Sequence, residues 1–162
     1  MKINMSFKIP RIADASIPLG QIADKIVEDS QRNIRRQMSP YGLGGAFTPL
    51  SKNTIRKKKK AGYTAPTKAL LATTRMFRNI RKYKDGKNRV SVGVKAAGVP
   101  PRDFVAMIHQ EIGVPTKSGP VRRAFMGLSP KTRKWAQERM KRWIKKQYSI
   151  APQKYIKINL TS

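Results

Sequence analysis

A chain with 36 Lys and Arg against eight Asp and Glu cannot neutralise itself by internal ion pairing. Its formal net charge is +28 at pH 7 and its isoelectric point is near 11.3. Such an excess opposes any compact state, because like charges crowd as the chain folds, and assembly of several copies worsens it. The expected remedy is a partner of opposite sign: nucleic acid, an acidic protein surface or anionic lipid. Lipid is the weakest of the three, and no membrane partner is expected. No apolar run approaches the ~20 residues a membrane-spanning helix needs. Lys2 and Lys8 also interrupt the apolar residues where a signal peptide requires an unbroken core. Without cysteine, disulfides, thiolate metal sites and thiol catalysis are excluded.

Within that constraint the apolar residues, 39% of 162, fall into periodic segments sufficient for one modest core. Residues 2–9 alternate, with Ile3, Met5, Phe7 and Ile9 on one side, and read as a strand closed by Pro10. From 18 to 37 the period becomes helical through Leu19, Ile22, Ala23, Ile26 and Ile34, with Ser16 as the expected N-cap and Pro18 in the first turn. Asp24, Glu28 and Asp29 make the outer face of this helix the least basic part of the chain. Residues 39–66 read as a long Pro/Gly loop containing one short helical stretch from Ser51 to Lys58, capped by Ser51. A second helix is expected over Thr67–Asn79, burying Leu70, Thr73, Met76, Phe77 and Ile80.

Asp85-Gly86 marks a hairpin turn leading into the alternating Val90, Val92 and Val94. Pro100-Pro101 and Asp103 open a short helix with Phe104, Met107 and Ile108 on one face, ended by Gly113. Residues 114–123 read as a loop. Ser129-Pro130 starts a last helix, to about 147, with the stripe Ala136, Met140, Trp143 and Ile144. Ile156, Ile158 and Leu160 alternate in a terminal strand or arm. The expected fold is α+β: three or four helices on a small, largely antiparallel sheet of about four strands. Residues 1–150 form the single domain and 151–162 the C-terminal arm.

Catalytic chemistry has little to work with. His109 is the only histidine, and only Glu111 lies close to it in sequence. It reads as a polar residue at a helix end that helps satisfy backbone groups. Gly42-x-Gly44-Gly45 lacks the spacing of a phosphate loop. No cofactor, no metal and no enzymatic activity are expected.

The basic stretches carry more. Arg56 and Lys57, Lys58, Lys59 and Lys60 form a run that reads either as a solvated loop tip or as a contact site. The last helix carries Lys131, Arg133, Lys134, Lys141, Arg142, Lys145 and Lys146 against the single acid Glu138 between 131 and 146. A face of that kind neutralises phosphates and releases counterions, which favours duplex binding without sequence preference. These twelve residues are the candidate contacts to DNA or to an acidic partner.

Several blocks also occur in a telling order. Phe47-Thr48-Pro49-Leu50-Ser51 precedes Thr54 and the lysine run, followed by Leu70-Leu71-Ala72-Thr73-Thr74-Arg75-Met76 and Val90-Ser91-Val92-Gly93-Val94. Ala106-Met107-Ile108-His109-Gln110-Glu111-Ile112-Gly113 and Arg122-Arg123-Ala124-Phe125-Met126-Gly127-Leu128-Ser129 come next. From about Leu19 to Ile144 the layout resembles the bacteriophage virion-morphogenesis family, the tail-completion proteins of Mu-like phages, and the related tail-joining neck proteins of long-tailed phages. The chain departs from that layout at Phe47, where family members often carry Trp, at Thr74-Arg75 and at Val105-Ala106.

The resemblance implies a structural virion protein made in the host cytoplasm. It would form a homo-oligomeric ring, a hexamer, at the head-proximal end of the tail or in the neck, with no known catalytic residues. The implied partners are further copies, neighbouring neck, connector and tail-terminator or tail-tube proteins, and phage DNA in the lumen. In such a ring the like charges of neighbouring subunits add, so a polyanion or acidic neighbours are needed. Ile156, Ile158 and Leu160 are the candidate subunit contacts, extending a neighbour's sheet. The reading from charge alone is a sequence-nonspecific nucleic-acid-binding protein.

Overall fold

A computed structural model describes residues 2–6, 14–40, 45–71, 75–95 and 102–148. Among the described residues three strands form one antiparallel sheet: β1 (Lys2–Ser6), β2 (Ile80–Lys84) and β3 (Arg89–Val94), in the order β1-β3-β2. β2 and β3 are the expected hairpin, with Ile80 opposite Val94 and Lys84 opposite Val90. The Asp85 amide donates to the Arg89 carbonyl at 3.0 Å to close the turn. β1 pairs along the other edge of β3, Ile3 opposite Val92 and Met5 opposite Val90, and forms an edge strand of the chain's own sheet. The outer part of the expected strand, residues 7–9, lies outside the described residues, as does the fourth strand expected around 156–160.

α1 (Ser16–Arg36) crosses the sheet and buries Leu19, Ile22, Ala23, Ile26 and Ile34 at helical spacing. Its start differs from the expectation. Ser16 is the first helical residue, and the Asp14 carboxylate takes the capping role, accepting from the Ser16 amide at 2.8 Å. The helix stops at Gln37, which adopts a left-handed φ of 56°. α5 (Pro130–Tyr148) packs on α1 through Ala136, Met140 and Ile144, with Ser129 Oγ capping the Thr132 amide at 3.0 Å. Arg139 Nε donates to Gln21 Oε1 at 2.7 Å and ties the two helices at the surface.

α2 (Lys52–Lys60) begins at the expected cap, where Ser51 Oγ accepts from the Thr54 amide at 3.2 Å. Among the described residues of 67–79 only α3 (Arg75–Arg78) is helical, so 67–71 do not continue the expected helix, and Ile80 already belongs to β2. Leu70 has a φ of 61°, which no continuing α-helix allows. The backbone of this stretch is satisfied by side chains from afar instead. Gln37 receives the Ala69 amide at Oε1, 2.5 Å, and returns Nε2 to the Ala69 carbonyl at 3.0 Å.

α4 (Arg102–Met107) runs into one π-helical turn, Ile108–Ile112, before Gly113 ends it. The residues this unit turns inward are Ala106 and Gln110, while Phe104, expected on the same face as Met107 and Ile108, is 50% exposed. Among the described residues no helix is long and apolar enough to cross a membrane.

Candidate functional site

The structure separates the two basic stretches. α5 packs on α1, whereas the Lys58 side chain ties α2 to residues 65–68. Arg56, Lys57, Lys59 and Lys60 point to solvent, as do Lys131, Arg133, Lys134, Arg142, Lys145 and Lys146. Lys141 is half-buried and ion-paired to Glu138 at 2.9 Å. Ile156, Ile158 and Leu160 lie outside the described residues.

Lys58 departs from the expectation for its run. It is only 8% exposed, and its Nζ donates to the Lys68 carbonyl at 2.5 Å and the Ala65 carbonyl at 3.3 Å. Burial holds its ammonium below the ordinary lysine pKa. It therefore leaves the set of surface contacts and acts as an internal tie. The available signal was Ile55: it is the one apolar residue of α2, and the position three residues on, on the same helical face, is Lys58.

Acids are concentrated on the α1 side. Lys25 bridges Glu28 at 3.1 Å and Asp29 at 3.4 Å, Arg32 bridges the same two carboxylates, and Lys82 reaches Asp24 at 2.7 Å. Asp29 also accepts from Thr132 Oγ1 at 2.5 Å, joining the start of α5 to α1. These pairs consume the acids where they stand and leave the solvent face of α5 cationic beyond Glu138. Residues 131 to 146 extend about 22 Å at 1.5 Å per residue, roughly two-thirds of a DNA turn. Trp135, 36% exposed, lies among these cations. The apolar stripe predicted for α5 holds at Ala136, Met140 and Ile144, with Trp143 only partly buried against the core.

A second arrangement was not anticipated from the sequence. A cleft of about 810 Å³ opens between the start of α2, the π turn and the loop 114–123, whose walls are joined by the isolated Val114–Val121 bridge. Lys58, His109 and Arg123 all line it. Arg123 is 6% exposed; its Nε donates to the Thr48 carbonyl at 3.2 Å, and its amide donates to the His109 carbonyl at 2.8 Å. Burial, and then the neighbouring Arg123 charge, push the His109 pKa down to about 4, so the ring is neutral at pH 7. Its Nδ1 is buried with no hydrogen-bond partner among the described residues.

The backbone-satisfying role expected of the His109 side chain belongs to Gln110. Gln110 Oε1 accepts from the Phe125 and Met126 amides at 2.9 and 3.0 Å, and its Nε2 donates to the Met126 carbonyl at 2.8 Å. Among the described residues no group of three or more His, Cys, Asp or Glu side chains is placed to hold a metal.

The described residues form a small α+β domain with exposed basic faces on α2 and α5 and one cleft that holds two buried cations and a neutral histidine. Residues 9–145 match the phage virion morphogenesis family, and the chain belongs to that family, with a role in assembly of the virion. No curated protein and no solved structure matches the chain.

Proposed function

We propose that the chain is a tail-completion or neck subunit that assembles as a ring, a hexamer, at the head-proximal end of a phage tail, with α5 turned toward DNA. The observation that carries this reading is the solvent face of α5, where Lys131, Arg133, Lys134, Arg142, Lys145 and Lys146 are all exposed. Charge dispersed along about 22 Å of helix suits a polyanion of regular charge spacing better than a single carboxylate. Membership of the virion morphogenesis family supports placing that polyanion inside the particle. Connector and tail-terminator or tail-tube proteins are the neighbours such a ring requires.

Binding to a random duplex of about 20 base pairs tests the DNA contact: affinity should fall steeply between about 50 and 200 mM salt and be indifferent to sequence. Replacing Lys134, Lys145 and Lys146 together by Ala should flatten the log–log salt slope by about three. Negligible binding at both salt concentrations removes the DNA contact. Density for a ring between capsid and tail tests the placement. A protein that instead tracks bulk nucleic acid and is missing from purified particles is the free nucleic-acid binder that charge alone suggests.

A further inference from the structure

The cleft between α2 and the loop 114–123 differs in kind from the α5 face. There the cations are dispersed and solvated, whereas here they converge and are buried. Lys58 and Arg123 are 8% and 6% exposed, yet no Asp or Glu lines the cleft, and neither cation has an ion-pair partner among the described residues. A buried charge is ordinarily paired, because backbone carbonyls compensate desolvation only in part. Beside them the His109 Nδ1 is buried and unpartnered. The remaining walls are largely apolar, including Leu50, Leu70, Val105 and Val114.

We infer that this cleft is a docking site for an extended segment of an acidic partner protein, which places one Asp or Glu carboxylate against Arg123 and His109 and lays flanking apolar side chains along the walls. The choice of occupant follows from shape and charge together. A volume of about 810 Å³ corresponds to roughly 9 Å on a side, the size of a side-chain or small-ligand pocket. Duplex DNA, whose major groove alone is about 12 Å wide, does not enter it. Another copy of this chain brings more positive charge, whereas an acidic neighbour supplies the missing counter-charge and relieves the +28 at the same contact. The carboxylate accepts from the Arg123 guanidinium, and a proton taken up from water onto His109 completes a second charge-assisted hydrogen bond. That proton uptake becomes favourable because the arriving negative charge offsets Arg123, the cation that disfavours it in the free protein.

The site goes beyond the assembly reading and does not depend on α5, so its test is independent of duplex binding. His109 is the only histidine, so imidazole labelling gives a one-signal reporter inside the cleft. The probes are two blocked peptides, acetyl-Leu-Glu-Leu-amide and acetyl-Leu-Gln-Leu-amide, together with inorganic phosphate, titrated into the whole chain. The Glu peptide should shift the His109 resonance saturably and raise its titration midpoint, with the Gln peptide at least ten-fold weaker. Arg123→Gln should abolish the response; if that variant unfolds, the Glu-against-Gln comparison on the unaltered chain still decides. Equal responses to the two peptides, or no shift at millimolar concentration, overturn the proposal. Phosphate binding at the reporter as tightly as the Glu peptide overturns the assignment to a protein carboxylate. Loss of duplex binding in the α5 variants with an intact His109 response would separate the two sites.

Discussion

Gln110 satisfies three backbone groups that no secondary structure claims, and the buried segment 123–126 runs through the core on that account. Asn33 Nδ2 holds the Phe125 carbonyl at 3.1 Å in the same way. Gln110→Leu keeps the volume and removes every partner, leaving two amides and a carbonyl without their bonds. At about 1–3 kcal/mol for each unsatisfied group, a loss of at least 3 kcal/mol is expected in urea unfolding. His109 acts on stability through pH. Its folded pKa of about 4 lies below the ordinary 6.5, so the unfolded chain binds the proton that the native state refuses. Stability is therefore complete above about pH 6.5 and falls as pH drops toward 4, by at most roughly 3 kcal/mol. Lys58 and Arg123, which line the same cleft, are the other titratable groups there, both held below their ordinary values by burial. The carboxylates of Asp14, Glu28 and Glu138, held below their ordinary values by hydrogen bonds and nearby lysines, add their own loss only as pH falls through those ordinary values, at the acid end of that pH window and below it. Urea midpoints at pH 7.5 and 5.0 should differ in the unaltered chain, and His109→Gln should remove most of the difference.

At the scale of elements, periodicity was enough wherever the segment's own neighbours satisfy its backbone. α1, the β2–β3 hairpin and α5 were legible for that reason, from Leu19-Ile22-Ile26 and from Val90-Val92-Val94, whereas α2 was legible from its Ser51 cap. The expected helix failed over 67–71 because two distant side chains, Gln37 and Lys58, take the bonds that a helix would make itself. No local pattern encodes that. The cleft was hidden for the same reason: Lys58 and Arg123 read as two more surface cations in a chain full of them, and their burial depends on contacts seven to 75 residues away. Lys58→Met tests the tie. It removes two hydrogen bonds to carbonyls, about 1 kcal/mol each, but also a buried ammonium whose desolvation costs a comparable amount. Global stability should change by less than about 1 kcal/mol, while amide exchange in 65–71 accelerates. A large global loss would show that the ammonium, not its stem, holds α2 down.

For the whole molecule the balance of charge sets how stability responds to salt. The ion pairs of the described residues engage Lys25, Arg32, Lys82 and Lys141, out of 36 basic residues, and the pairs are largely exposed. Exposed pairs contribute about 0–1 kcal/mol each, so screening them removes little. Screening the repulsion among the remaining cations removes far more, because the Debye length shrinks from about 30 Å at 0.01 M to about 3 Å at 1 M. Raising sodium chloride from about 0.01 to 0.5 M should therefore stabilise the isolated chain. Each kcal/mol gained appears as about 2–4 °C in Tm for a domain of this size. A duplex oligonucleotide at low salt should raise Tm further, because a ligand that binds only the native state stabilises it in proportion to ln(1 + [L]/Kd). The duplex increment should vanish at high salt, since counterion release no longer favours binding there. The two effects thus run in opposite directions with salt, and a melting series with and without duplex reads both. A Tm that falls with salt in the absence of duplex would mean that the few ion pairs on α1 outweigh the repulsion. In that case the chain would not need a polyanion to stay folded.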